Sequence, residues 1–295
     1  VRNPIYYKQM DLLKEDLHLS MAVNPELTAS NEIARILLFP ETNKVETFMK
    51  GKVELVEYAV RDDSPLVGLS LGELYRKFQI QVLICAVKRK DEVYIPDGDF
   101  VLQAGDKMHI AASHQNLKNF FKSLMKKTVR IKNVLICGGG HLCFYLALQL
   151  LQVGMQVKII EKDSSRCETL CELLPKATVI NADATSHDLL LEEGIGEADA
   201  VVALTGMDEE NIIMALFAKT QGVKKIIAKV NEDTRAQMVE GLGIDSIVSA
   251  KSATADAILR YVRARKNSHD SANVESMYRL VNGQVEAQEF IIKKE

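Results

Sequence analysis

Between residues 131 and 265, short apolar runs alternate with stretches of helical spacing. NVLIC (133–137), QVKIIE (156–161), TVIN (178–181), ADAVVAL (198–204), KKIIAKV (224–230) and SIV (246–248) predict strands. FYLALQLLQVG, RCETLCELL, HDLLLEEG, DEENIIMALFAKTQG, EDTRAQMVEGLG and SATADAILRYVRARK predict the helices that separate and follow them. The strand runs are rich in Val and Ile and do not alternate with polar residues, which suits strands covered on both faces. Six strands separated by helices predict an α/β fold with a Rossmann-like, doubly wound parallel sheet. Residues 51–113 read differently. KVELVEYAV and VLICAVKR predict strands, SPLVGLSLGELYRKF (64–78) a turn and a helix, and YIPDGDFVLQAGDKMHIAAS (94–113) two short strands joined by QAGD (103–106). This is a small α+β module.

The chain also repeats itself. RNPIYYKQM (2–10) lies over VNEDTRAQM (230–238) at an offset of 228, with Asn3, Gln9 and Met10 matching Asn231, Gln237 and Met238. LHLSMAVNPELTASNEIARIL (17–37) lies over LGIDSIVSAKSATADAILRYV (242–262) at an offset of 225, and GKVELVEYAVR (51–61) over GQVEAQEFIIK (283–293) at 232. Three matches in one order at nearly constant offset predict a unit of about 230 residues, an α/β part followed by an α+β part. The expected organisation is the end of a first α/β domain (1–40), a first α+β domain (45–115), a complete second α/β domain (130–265) and the start of a second α+β domain (275–295). With Val1 in first place, both ends are expected to fall inside domains. Segment 1–40 holds no glycine turn, so a site built on one is expected at most once in this chain.

Composition narrows the class. A net charge of −3 argues against a general nucleic-acid surface. No run of 18 apolar residues is present to span a membrane, and no signal peptide is evident. The five cysteines lack a CxxC pair, which fits a reducing cytoplasm. His109 and His114 stand alone, and the α+β module carries no nucleophile set, metal-spaced cluster or paired carboxylates.

The chemistry concentrates at NVLICGGGHLCFYLALQLL (133–151). A strand runs into Gly138, Gly139 and Gly140, and a helix starts near His141 and Leu142. Glu161 closes the second strand, 21 residues after Gly140. In this arrangement Gly138 permits the tight turn, Gly140 lets backbone approach a pyrophosphate, and the helix N-terminus faces the anion. Glu161 suits ribose hydroxyls and disfavours a 2′-phosphate, although Lys162 and Arg166 nearby could accept one. Cys143 holds the third fingerprint position, where close helix–strand packing needs a small residue. It could carry an activated thiol or simply pack. Asp183 and Ala184 follow the third strand, with Asp183 capping the next helix or facing adenosine. Thr205 and Gly206 follow the fourth strand near the phosphates. Asp208 suits an N-cap, and Asn211 reaches back into the cleft or into solvent. NAD, NADH, ATP, ADP and AMP all remain open as ligands, and a nicotinamide-dependent oxidoreductase is the competing function.

ICGGGHLCFYLA, VKIIEKDSSRCETL, VINADATSHDLL, DAVVALTGMDEENI, VNPELTASNEIARILLFP, SPLVGLSLGEL and IPDGDFVLQAGDKMHIA together resemble the RCK/KTN family of potassium-transport regulators. The family pattern departs at Cys143, at His141 and Lys229 where arginines are usual, and at Ser249 in place of Pro. The resemblance implies RCK-N and RCK-C domains and a gating assembly, not an enzyme. It implies a homo-oligomer at the inner face of the membrane, joined to a TrkH- or TrkG-like membrane subunit of a Trk-type transporter and to no nucleic acid. It also implies that His141 and Lys229 lie among the phosphate contacts. The helix stripes Ile33, Ile36, Leu37 and Ile258, Tyr261, Val262 are expected to cross to a neighbouring α/β domain.

Overall fold

A computed structural model describes residues 21–42, 44–48, 52–79, 81–124, 130–239, 242, 244–269, 274–281 and 284–290. The repeat match at 2–10, and parts of the other two, lie outside the described residues. In chain order come α1 (Pro25–Leu38), β1 (Lys44–Phe48), β2 (Val53–Ala59), α2 (Leu71–Phe78), β3 (Leu83–Arg89), β4 (Glu92–Tyr94), β5 (Lys107–Ala112) and α3 (His114–Leu124). Next are β6 (Asn133–Cys137), α4 (His141–Gln152), β7 (Gln156–Glu161), α5 (Ser164–Leu173), β8 (Thr178–Asn181), α6 (His187–Glu192), β9 (Ala200–Ala203), α7 (Asp208–Thr220), β10 (Lys225–Lys229), α8 (Asp233–Val239), β11 (Ser246–Val248) and α9 (Ala250–His269). β12 (Val274–Leu280) and β13 (Val285–Phe290) form a hairpin. These elements fall into two compact units. One joins the segment up to Pro40 with Arg130–Ile258, and the other joins Glu41–Val129 with the segment from Leu259 onward.

The first unit holds six strands in the order β11-β10-β9-β6-β7-β8, all parallel. β6, β9 and β10 are buried almost throughout, as continuous apolar runs demand. The order reverses between β6 and β9, and in open α/β sheets ligands bind outside the strand ends at that switch point. α1 packs on α4 of this sheet. Ile33, Ile36 and Leu37 are buried there. Asn24 donates through Nδ2 to the Tyr145 hydroxyl at 3.0 Å, and Gln149 Nε2 donates to Ser30 Oγ at 3.0 Å. Asn24 also caps α1, accepting from the Leu27 N–H, and Pro25 sits in the first turn, where a missing N–H costs nothing. The stripe on α1 therefore crosses from its own stretch of sequence to the helix after the glycine turn. Its counterparts Ile258 and Val262 on α9 are exposed.

The second unit is a sheet of order β1-β2-β5-β3-β4 with antiparallel neighbours. Ser70 and Glu73 form a reciprocal capping box that starts α2. Leu55 and Ala86 pack with Val281, Val285 and Ala287 from the β12–β13 end. Residues 94–113 hold one strand here, not two: Val101 makes only an isolated bridge to Ser70. Backbone bonds outside a regular ladder hold this segment, the Leu102 N–H donating to the Leu69 carbonyl (3.0 Å) and the Leu102 carbonyl accepting from the Gly68 N–H (2.9 Å), and side chains add to them. Fully buried Asp106 takes both Arg89 Nε (2.7 Å) and Nη2 (2.8 Å), as well as the Gln103 N–H, while the Val101 carbonyl accepts from Arg89 Nη2. α3 follows directly, seating Phe120 and Phe121 against the core, with the Phe121 ring 5.5 Å from that of Tyr58.

Candidate functional site

The strand ends at the switch point are held by the glycine turn. Gly138 adopts φ +104°, and a Cβ there would lie 2.9 Å from the carbonyl carbon of Leu204, so β6 and the β9–α7 loop meet without room for a side chain. Gly139 is closed in as well, since its Cβ would lie 2.7 Å from Leu170. At Gly140 a Cβ would meet nothing within 4 Å. Packing of the chain therefore explains the first two glycines and not the third. Gly140 is the N-cap of α4, and no side chain caps that helix. Uncapped helix N-termini of this kind, with their N–H groups and positive dipole end, suit an anion.

Glu161 ends β7 beside this turn. Its Oε2 accepts from the Gly139 N–H at 2.6 Å and its Oε1 from the Asp163 N–H at 2.8 Å. A carboxylate has about four acceptor sites, so lone pairs remain for hydroxyl donors. Arg166 Nε donates to the Gly139 carbonyl at 2.6 Å, and its Nη2 is buried without a hydrogen-bond partner. Arg166 therefore sits against the turn and not in solvent. Lys162 and His141 are exposed. Asn181 Nδ2 holds the carbonyls of Glu161 (3.1 Å) and Lys162 (3.0 Å).

A second cluster lies on the β9 side. Fully buried Asn211 accepts from the Thr205 N–H (2.8 Å) and hydroxyl (2.9 Å), and donates to the carbonyls of Thr205 (3.3 Å) and Lys229 (2.9 Å). It reaches back as one of the two sequence alternatives had it, but its amide is spent on tying two loops together. Gly206, like Gly140, has open space where a Cβ would be. Asp208 is the first helical residue, not the cap, which is Met207. Its carboxylate turns instead to the N–H groups of Asn231 (2.9 Å) and Glu232 (3.1 Å), and Arg235 bridges it to Glu209 and Glu232. Lys229 is half-buried, with Nζ 3.4 Å from the Leu204 carbonyl. Burial pushes its ammonium below the ordinary lysine range, against the pull of Asp208 and of Glu26 on α1.

Asp183 does not cap α6, whose N-cap is Ser186; it accepts the Thr185 N–H and hydroxyl, and the Thr185 N–H holds its carboxyl below the usual range. Ala184 is buried in the core beneath it. Cys143 is fully buried, and burial pushes its thiol well up, as it pushes Cys137 up to about 12. Of the two readings of Cys143, this favours packing. The close approach of Gly138 to Leu204 links the two clusters into one cleft edge. Sequence reading missed Asn181 and the Leu204 carbonyl. The signal for Asn181 was an amide ending a strand beside the acidic strand end, and a backbone carbonyl leaves no signal.

A parallel sheet of this order, with a glycine turn and a spaced acid at its switch point, is a domain of Rossmann type. Residues 134–250 match the TrkA-N domain and residues 55–125 the TrkA-C domain. Among curated proteins it is similar to the Trk system potassium uptake protein trkA homolog 1 of Methanosarcina mazei, with 33% identity over 266 residues, covering 90% of this chain and 65% of that protein. The Trk system potassium uptake protein TrkA of Halomonas elongata is 33% identical over 274 residues, covering 92% of this chain and 59% of that protein. The chain thus spans less than two thirds of these relatives' length. Among solved structures, the GsuK RCK domain aligns with a TM-score of 0.63 at 19% identity, over 94% of this chain and 58% of that one. The GsuK channel bound to NAD aligns equally well, over 95% of this chain and 49% of that one. Among the described residues, no helix is long and apolar enough to cross a membrane.

Proposed function

We propose that this chain is a nucleotide-sensing part of the regulatory subunit of a Trk-type potassium uptake system. The observation that carries the reading is the glycine turn. Gly140 is open where Gly138 and Gly139 are filled, it begins an uncapped helix, and Glu161 stands beside it with acceptor capacity to spare. These residues fit an adenosine diphosphate group: N–H donors for the phosphates and a carboxylate for the ribose. NAD or NADH is the first choice, with ATP, ADP and AMP as alternatives. The relatives named for potassium uptake and the NAD-bound GsuK channel support the class of ligand and the setting.

In this reading Gly138, Gly139, Gly140, His141, Leu142, Glu161, Lys162, Arg166, Asp183, Ala184, Thr205, Gly206, Asp208, Asn211 and Lys229 surround the ligand or hold the loops that do. Binding shifts the assembly by its differential affinity for two shapes of the ring. The assembly is a homo-oligomer, cytoplasmic and peripheral to the membrane, docked on a TrkH- or TrkG-like transporter subunit, and the reading includes no catalysis. Isothermal titration with NADH, NAD, ATP, ADP and AMP, run beside an NADH-oxidation assay over a substrate panel, tests it. One nucleotide bound per chain without turnover is the expected result. Turnover would move the assignment to a nicotinamide-dependent oxidoreductase, and absence of binding would leave a purely structural module.

A further inference from the structure

Gly139 is held from both sides. Its N–H goes to Glu161 Oε2 and its carbonyl to Arg166 Nε, each at 2.6 Å. All peptide bonds are trans among the described residues. In a trans peptide the carbonyl and the next residue's N–H point in opposite directions. Drawing the Gly139 carbonyl toward α5 therefore turns the Gly140 N–H the other way. A peptide between two glycines has little steric resistance to turning over, so its orientation needs an external hold. Arg166 supplies it from a fixed base. Asp163 caps α5 by accepting Arg166's own N–H at 2.9 Å. The guanidinium keeps this position although its Nη2 is buried without a partner, a placement that costs free energy.

We propose that Arg166 is a positioning residue for phosphate recognition: it clamps the Gly139 carbonyl so that the Gly140 N–H stays presented to the anionic group of an adenine nucleotide. This rests on the nucleotide reading above and assigns Arg166 a role distinct from that of a cation facing a 2′-phosphate. A clamp on one peptide acts on phosphate-bearing ligands and leaves recognition of the nucleoside alone.

The test compares ADP with adenosine on the intact chain, by calorimetry for ADP and NMR titration for adenosine, with thermal melts as the control for folding. Arg166→Gln is expected to weaken ADP by about tenfold or more, the scale of a lost charge-assisted bond, and adenosine by less than about twofold. Arg166→Lys keeps the charge and the stem without the planar fork. It is expected to show the same split at about threefold, and it preserves the test should the glutamine variant fold poorly. Equal losses for ADP and adenosine assign Arg166 to the fold alone and overturn the proposal. Unchanged ADP affinity in both folded variants overturns it as well, with the nucleotide reading intact. A wild-type chain that binds neither ligand overturns that reading, and the clamp with it.

Discussion

α1 and α9 carry the same stripe at matching positions of the repeat, and the structure gives the stripes opposite surroundings. Ile33, Ile36 and Leu37 on α1 are at most 1% exposed, against α4, whereas Ile258 and Val262 on α9 are 44% and 52% exposed. The sequence pattern states that a helix has an apolar face. It does not state which surface covers that face. For α1 the cover is specified by polar partners as much as by apolar ones, since Asn24 meets Tyr145 and Ser30 meets Gln149. The glycines repeat the contrast on a smaller scale. Gly138 is surrounded by backbone, and Gly140 faces open space two residues later.

The largest effect should come from charging the covered stripe. Ile33→Asp buries a carboxylate in an apolar contact and should cost about 4 kcal/mol or more, enough that urea melts show the first unit largely unfolded. A variant that melts like the parent would mean that α1 is not seated on α4. Next is Gly138→Ala, which combines a positive φ with a Cβ 2.9 Å from the Leu204 carbonyl carbon. A loss of about 1–3 kcal/mol is expected. Gly140→Ala should melt within about 0.5 kcal/mol of the parent while nucleotide affinity falls. If both alanines behave alike, the contrast between filled and open glycines is wrong. Asn24→Ala removes the α1 cap and the Asn24–Tyr145 hydrogen bond, and about 1–2 kcal/mol should be lost. Charging the exposed stripe with Ile258→Asp and Val262→Asp should give the smallest change in stability, within about 0.5 kcal/mol per site. If that face joins copies of the chain, light scattering will show the assembly come apart while nucleotide affinity persists. Loss of stability and affinity together would place the stripe inside its own domain.

The parallel sheet was legible because continuous Val- and Ile-rich runs can mean little else when helical segments separate them. Gly138, Gly140 and Glu161 were legible because spacing alone brings a turn to an acid at the next strand end, and the Gly139–Glu161 bond realises that approach. The orientation of side chains was not legible. Asp208 stood where a cap is common, yet its carboxylate serves the β10–α8 loop, a choice made by Asn231 and Glu232 arriving from 23 and 24 residues away. Arg166 read as a cation able to accept a 2′-phosphate, but its Nε is turned to the Gly139 carbonyl. In the second unit, Val101 had the pattern of a strand residue, yet its neighbours pair with the backbone of residues 68–71 around a single bridge, a non-local pairing that no local periodicity encodes.

The seat of α1 on α4 also bears on how such a chain can change over generations. α1 is the sequence counterpart of α9, yet its polar and apolar partners belong to a helix more than a hundred residues downstream, Asn24 and Tyr145 being 121 positions apart. Replacing Tyr145 removes the acceptor of Asn24, and replacing Ser30 removes that of Gln149. If the chain is the repeat its sequence suggests, the two copies are not free to drift apart as independent duplicates. Substitutions tolerated in one are filtered by the surface of the other, and in related chains Asn24 with Tyr145, and Ser30 with Gln149, should be inherited as pairs.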